Sequence, residues 1–213
     1  MARRAGTRNH DYDEKRRQLA GKVLAAVVRH GATVSLHDLA RETDTSIPTL
    51  KHYFGDRSGA IAEGLRAVLG DAQRYLDELA KPGRLGLASS LRKVARDLAG
   101  AWSAFGVGRL FTTGLIAGVG DETIGPGYLD GVLEPTIRAL ETRLREHAKR
   151  GDTSFEEDDD FAIRSAALAF LSPVLLALIH QEGLSGKRCR PLEMDEFLAF
   201  HVDRFVRAYG DEG

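Results

Sequence analysis

The sequence predicts an all-α protein of about nine helices. Apolar residues return every three or four positions along almost the whole chain, and no stretch alternates with period two as a half-buried strand would. Glycine punctuation at Gly31, Gly55, Gly106 to Gly108 and Gly118 to Gly120 then separates the periodic stretches. Composition agrees with a globular protein: 213 residues, 43% hydrophobic and 7% aromatic, with 30 Lys+Arg against 31 Asp+Glu. That length buries a core without covalent staples. Lone Cys189 can form neither a disulfide within the chain nor a metal cluster, which points to a reducing compartment, the cytoplasm. The first thirty residues hold arginines but no apolar run and no small-residue cleavage site, so no secretory signal is expected.

The first helix, over 13–29, carries Leu19, Val23, Leu24, Val27 and Val28 and closes at Gly31. A short second helix begins after Ser35, whose hydroxyl and the Asp38 carboxylate are placed to cap its first turn reciprocally; Leu36, Leu39 and Ala40 face inward. Thr43-Asp44-Thr45 is the turn, with Asp44 suited to a left-handed conformation. Ser46 caps a third helix with Pro48 in its first turn, where the missing N–H leaves no bond unmade, and Leu50, Tyr53 and Phe54 form its inner side. The fourth helix runs through Ile61, Leu65, Val68, Ala72, Tyr75 and Leu79 to Lys81-Pro82-Gly83. A fifth shows Leu87, Leu91, Val94, Leu98, Trp102 and Phe105, and a brief sixth covers 110–116. The seventh spans 128–148 through Leu133, Ile137, Leu140 and Leu144, with Pro135 expected to kink its early turns. After an acidic stretch at 151–160, residues 161–179 are apolar around the whole circumference, with Arg164 and Pro173 the exceptions, so that helix is expected to be buried on every side. The arginine, two serines and proline, with no second span, argue against a membrane crossing there. The last helix, 194–209, carries Phe197, Leu198, His201, Val202, Phe205 and Val206.

Charge is uneven along the chain. Residues 1–57 hold 11 Lys/Arg and 7 Asp/Glu, a net of +4, while 58–213 hold 19 and 24, a net of −5. A basic start on an acidic body favours a polyanion as partner of the first quarter. The chemistry-bearing stretch is 33–57, TVSLHDLARETDTSIPTLKHYFGDR. A small Ala40 allows a close helix crossing, Asp44 follows four residues later, and Leu50 and Tyr53 fall inward. That is the spacing of a helix-turn-helix, in which a scaffold helix crosses the phosphates and a second enters the major groove.

On Ala40, Ser46, Pro48, Thr49, Leu50 and Phe54 the sequence resembles the TetR family of one-component transcriptional regulators, with specific likeness over about residues 13–69. The resemblance implies a domain plan of an arm and helix-turn-helix at 1–57, a connecting helix at 58–80, and an effector-binding and dimerisation region at 81–213. It implies a homodimeric, ligand-responsive repressor whose partners are an inverted-repeat duplex operator, a second copy of itself and a small-molecule effector, with no cofactor and no metal. Ser46, Ile47, Pro48, Thr49, Lys51 and His52 form the expected DNA-facing side of the third helix. Ile47 and Pro48 suit a thymine methyl. Ser35 and His37 start the scaffold helix, and His37 is placed to reach a base or phosphate. Lys51, Arg57 and Tyr53 are backbone-positioning candidates, and Arg3, Arg4 and Arg8 form an arm suited to the minor groove. Lys51 stands where the family usually has an aromatic residue, and Arg57 where it has a lysine.

The resemblance also implies an effector pocket walled by Trp102, Phe105, Phe111, Leu115, Tyr128 and Phe170, with His180 or Gln181 as polar partner, and the loop 118–127 as an entrance. The dimer interface expected on the last two long helices comprises Phe161, Leu171, Val174, Leu175, Leu178, Phe197, His201 and Phe205. Enzyme chemistry is not expected. There is no GxSxG elbow, Walker loop or HExxH, and Gly106-Val107-Gly108 lacks the third glycine and flanking strand of a dinucleotide fingerprint.

Overall fold

The computed structural model describes residues 5–104 and 106–211, so Arg3, Arg4 and Phe105 lie outside the described residues. Among those residues there are eleven α-helices and no strand, two of the helices, Ile124–Tyr128 and Gly186–Cys189, being too short for periodicity to reveal. The chain divides into two compact units. One combines Met1–Ala72 with Thr113–Leu133, and the other combines Gln73–Thr112 with Glu134–Gly213. The segment 113–133 therefore packs with the N-terminal helices, a grouping that a division by chain order at 57 and 80 does not separate out.

In the first unit, α1 (Ala5–His30) starts eight residues earlier than expected and takes in Arg8, which therefore belongs to a helix rather than to an irregular arm. Its stripe of Leu19, Ala20, Val23, Ala26 and Val27 is buried. Two short helices follow, α2 (Leu36–Glu42) and α3 (Ile47–Phe54), and then α4 (Arg57–Ala80), whose Ala60, Ile61, Ala62 and Leu65 complete this core. Later in the chain, the end of α6 (Val107–Gly118), α7 (Ile124–Tyr128) and a π-helical turn at Leu129–Leu133 join the unit. The glycines of this segment allow backbone to meet backbone: a Cβ on Gly131 would lie 2.2 Å from the Leu65 carbonyl oxygen. Where a kink is expected from Pro135, that π turn runs without a gap into α8 (Glu134–Ala148), and the proline, which has no N–H to donate, stands two residues beyond it.

The second unit packs α5 (Leu87–Ser103), α8, α9 (Asp160–Leu178), α10 (Gly186–Cys189) and α11 (Met194–Tyr209) around Leu91, Val94, Leu140, Leu144, Ile163, Phe170 and Val202. A π turn, Ile179–Gly183, extends α9. Arg143 of α8 is buried, and its guanidinium donates to the carbonyls of Leu79 (2.6 Å), Glu78 (3.1 Å) and Lys81 (2.7 Å) and to the Ser90 hydroxyl (2.6 Å). It thus satisfies carbonyls that the C-terminus of α4 would otherwise leave open. His147, one turn later, is fully buried with Nδ1 2.7 Å from the Asp152 carboxylate.

The expectation that 161–179 is buried on every side is corrected. α9 packs on α5, α8 and α11 through Ile163, Ala167, Phe170, Leu171 and Val174, but Phe161 is 84% and Leu176 68% exposed. Among the dimer candidates, Leu171, Val174, Leu178 and Phe205 lie in their own subunit's core, whereas Phe161 is open and Leu175, Phe197 and His201 are half-buried. An even apolar run does not reveal which side of a helix its own chain will cover. By length and composition the run Asp160–Gly183 is apolar enough to cross a membrane, a property it shares with core helices of this kind.

Candidate nucleic-acid interface

Local chemistry builds the turn between α2 and α3. Ser35 caps α2: its Oγ accepts from the Asp38 N–H (3.1 Å) and its hydroxyl donates to the Asp38 carboxylate (2.5 Å). The carboxylate thus returns to the hydroxyl, not to the Ser35 backbone N–H as a reciprocal capping box requires. The Ser35 hydroxyl, with Arg41 beside it, holds the Asp38 carboxyl below the usual range. At the far end Asp44 adopts φ 52°, and the N–H groups of Thr45 and Asp44 return to the carbonyls of Ala40 (3.0 Å) and Arg41 (3.3 Å). This is a Schellman arrangement with aspartate in the left-handed position. Ser46 then caps α3 by accepting from the Thr49 N–H (3.2 Å), and the two hydroxyls lie 2.8 Å apart. The end of α1 is tied to α2, Arg29 and His30 both reaching Glu42 at 2.7 and 3.1 Å.

On this frame α3 buries Leu50 and Phe54 and exposes Ser46, Pro48, Lys51 and His52; Ile47, Thr49 and Tyr53 are half-buried. His37 and Ser35 are exposed at the start of α2. Pro48, Lys51 and His52, three and four residues apart, thus share the open side of α3, and Ile47 is less open than expected. Tyr53 is held by a residue that the sequence reading missed: its ring lies 4.9 Å from that of Tyr12 in α1, whose edge also meets His52 at 5.8 Å. Tyr12 stands seven residues before Leu19 in α1 and is partly exposed, so nothing local marks it as the partner of α3.

Arg57 requires a correction. Its Nε donates to the Val34 carbonyl (2.6 Å) and its Nη2 to that of Ala32, so the side chain is bound into the loop between α1 and α2 and is not poised for a phosphate. That loop turns its carbonyls toward the start of α4, and a charged donor satisfies them. The segment 118–127 is likewise more than an open entrance. Asp121 accepts from the N–H groups of Ile124 (2.8 Å) and Thr123 (2.9 Å) and from the Ser58 hydroxyl (2.8 Å), fastening the start of α7 to the start of α4. Those donors lower its pKa, the Ile124 N–H contributing most.

The expected pocket residues fall into separate groups. Trp102 is buried with its ring 5.2 Å from that of Phe111 in the second unit. Phe170, in the same unit, contacts His201 and Phe205 at 5.3 and 5.2 Å. Leu115 and buried Tyr128 belong to the first unit. Of the two expected polar partners, His180 is exposed and Gln181 buried, with His180 Nδ1 2.6 Å from the Gln181 amide nitrogen.

No protein-family model and no curated protein matches the sequence. Solved structures do match. A transcriptional regulator of Mesorhizobium loti assigned to the TetR family superposes with a TM-score of 0.73 at 15% identity, covering 94% of this chain and 98% of its own. A TetR transcriptional regulator of Agrobacterium tumefaciens gives 0.60 at 22% identity, covering 92% and 94%. The regulator FadR of Bacillus subtilis, solved with stearoyl-CoA, gives 0.65 at 11% identity, covering 89% and 96%.

Proposed function

The chain has the fold of the TetR-family transcriptional regulators, and on that premise we propose that it is a cytoplasmic, ligand-responsive repressor that grips an inverted-repeat operator as a homodimer. The observation that carries this reading is the open side of α3, where Pro48, Lys51 and His52 are exposed on a helix fixed by its own caps. An apolar ring beside a cation and an imidazole suits the major groove, where a thymine methyl and phosphate oxygens lie close together. Pro48, Ile47 and Thr49 address base edges, and Lys51 and His52 the phosphates. His37 flanks the groove from α2, while the hydroxyls of Ser35 and Ser46 serve as caps.

Two such heads held by a two-fold axis read two half-sites, so the operator is an inverted repeat. FadR of Bacillus subtilis was solved with stearoyl-CoA, which supports a small-molecule effector for this chain too, with Trp102 and Phe111 as its aromatic candidates in the second unit. An effector that prefers the subunit arrangement with mismatched reading heads releases DNA by shifting the population toward it.

Fluorescence anisotropy with duplexes taken from either side of the chain's own gene, run over a salt series, tests the proposal. One fragment should bind far more tightly than random duplex, with log affinity falling linearly against log salt. Binding to every fragment no tighter than to random DNA would end this reading.

A further inference from the structure

His52 stands at the centre of the open side of α3. At about 100° per residue it lies about 160° around the helix from both Leu50 and Phe54, the two residues that α3 buries. A surface histidine without neighbours turns among several rotamers, and a partner must order it on binding. His52 has neighbours. The Tyr53 ring lies 5.1 Å from its imidazole at 74°, and the Tyr12 ring of α1 lies 5.8 Å from it at 90°. The two tyrosine rings are themselves 4.9 Å apart. Each ring of the trio thus lies against the other two, and both contacts to the imidazole have the edge-to-face geometry that aromatic pairs favour. Tyr12 in turn has a fixed base. One turn further along α1, Arg16 pairs with Glu63 of α4 at 2.9 Å, and Leu19 and Val23 bury the helix in its unit. The trio is at the surface, with Tyr12 37% exposed and Tyr53 half-buried, so its chief effect is to orient His52 rather than to fill the core.

We propose that Tyr12 is a positioning residue for DNA recognition, its ring holding the His52 imidazole in one orientation on the open side of α3. The inference rests on the DNA-binding reading of α3 and adds to it a residue 40 positions upstream of His52, which acts through that histidine and meets no DNA itself. Orientation matters at this position. An imidazole meets a phosphate only through a ring nitrogen, along one direction in the ring plane, whereas the rotating donors of an ammonium such as that of Lys51 accept many approaches. Tyr53 restrains the imidazole from its own helix, and Tyr12 adds a restraint from a second one. A side chain ordered in advance need not be ordered on binding, which raises affinity about threefold at each half-site and about tenfold over two.

The test uses full-length protein and the flanking duplex that it binds most tightly, with affinity read by anisotropy. Tyr12→Leu keeps an apolar cover over Tyr53 but removes the ring, and should weaken binding about tenfold. Tyr12→Phe keeps the ring and should bind like wild type. His52→Ala should lose at least as much as Tyr12→Leu, and the double variant should bind no more weakly than His52→Ala alone, because the two residues act as one unit. In the free protein, NMR of the His52 ring protons should show a ring-current shift that Tyr12→Phe retains and Tyr12→Leu reduces. Losses that multiply in the double variant, a Tyr12→Phe as weak as Tyr12→Leu, a Tyr12→Leu with wild-type affinity, or a His52 shift that no Tyr12 variant moves each overturn the proposal and leave DNA binding by α3 standing. A wild-type chain that binds no fragment more tightly than random duplex removes the DNA-binding reading, and the role of Tyr12 with it.

Discussion

α3 and α9 both leave apolar side chains in water, in opposite company. On α3 the exposed Pro48 stands beside Lys51 and His52, on a helix whose inner side is closed by Leu50 and Phe54. On α9 the exposed strip from Leu168 to Leu176 carries no charge at all, and charge collects only at its two ends. An isolated apolar group among cations fits a surface that alternates methyls with phosphates, and a continuous strip fits another strip like itself. The comparison teaches that the neighbours of an exposed apolar residue, more than the residue itself, identify what covers it.

The largest expected effect breaks the α9 half of this comparison. Leu176→Glu places a charge in the strip and should convert the dimer to monomers, lowering operator affinity by about 100-fold because two weak half-site contacts no longer act together. The subunit's own melting temperature should move little, since Leu176 is 68% exposed. Sedimentation showing an intact dimer would refute this use of the strip.

The next two substitutions separate a residue that holds α2 and α3 in place from one that, on the proposed function, meets DNA. Arg57→Ala removes the donors to Val34 and Ala32 and should cost about 1–3 kcal/mol of folding stability in a denaturant titration, leaving the salt slope of DNA binding unchanged. Lys51→Ala should do the reverse, keeping stability and weakening binding to every sequence while the salt slope flattens by about one. Should Arg57→Ala flatten the slope and Lys51→Ala leave it alone, the two roles are exchanged.

The smallest effect near neutral pH concerns a buried histidine of α8. Burial holds the pKa of His147 below its ordinary value against the pull of Asp152, with Arg150 and Arg143 adding in the same direction as burial. The unfolded chain then binds a proton that the folded chain does not, so stability is complete above about 6.5 and declines as pH falls below it. His147→Gln should flatten that decline in melting curves between about pH 7.5 and 5.5. An unchanged decline would assign it to other groups.

Much of the turn between α2 and α3 was legible in the sequence because its determinants are local. Ser35 and Ser46 as caps, Asp44 in the left-handed turn and the inward Leu50 and Phe54 each depend on residues three to five positions apart. Arg57 and Tyr12 were not legible in their roles. Arg57 meets carbonyls 23 and 25 residues away, and Tyr12 meets rings 40 and 41 residues away, distances over which no spacing rule operates. The pocket reading suffered likewise, because an aromatic residue such as Phe170 has the same signature whether it lines a cavity or packs against His201 and Phe205.

The amino-acid sequence by itself determined the helical class, the positions of the main helices and turns, and the side of α3 that its own chain would bury, since periodicity and capping act within a single turn or two. The tertiary structure alone decided that 113–133 joins the N-terminal unit, that Arg57 closes a loop, and that one side of α9 stays bare. Those outcomes depend on which surfaces meet across long stretches of chain, and a uniformly apolar helix or a lone arginine carries no local mark of the neighbour it will find.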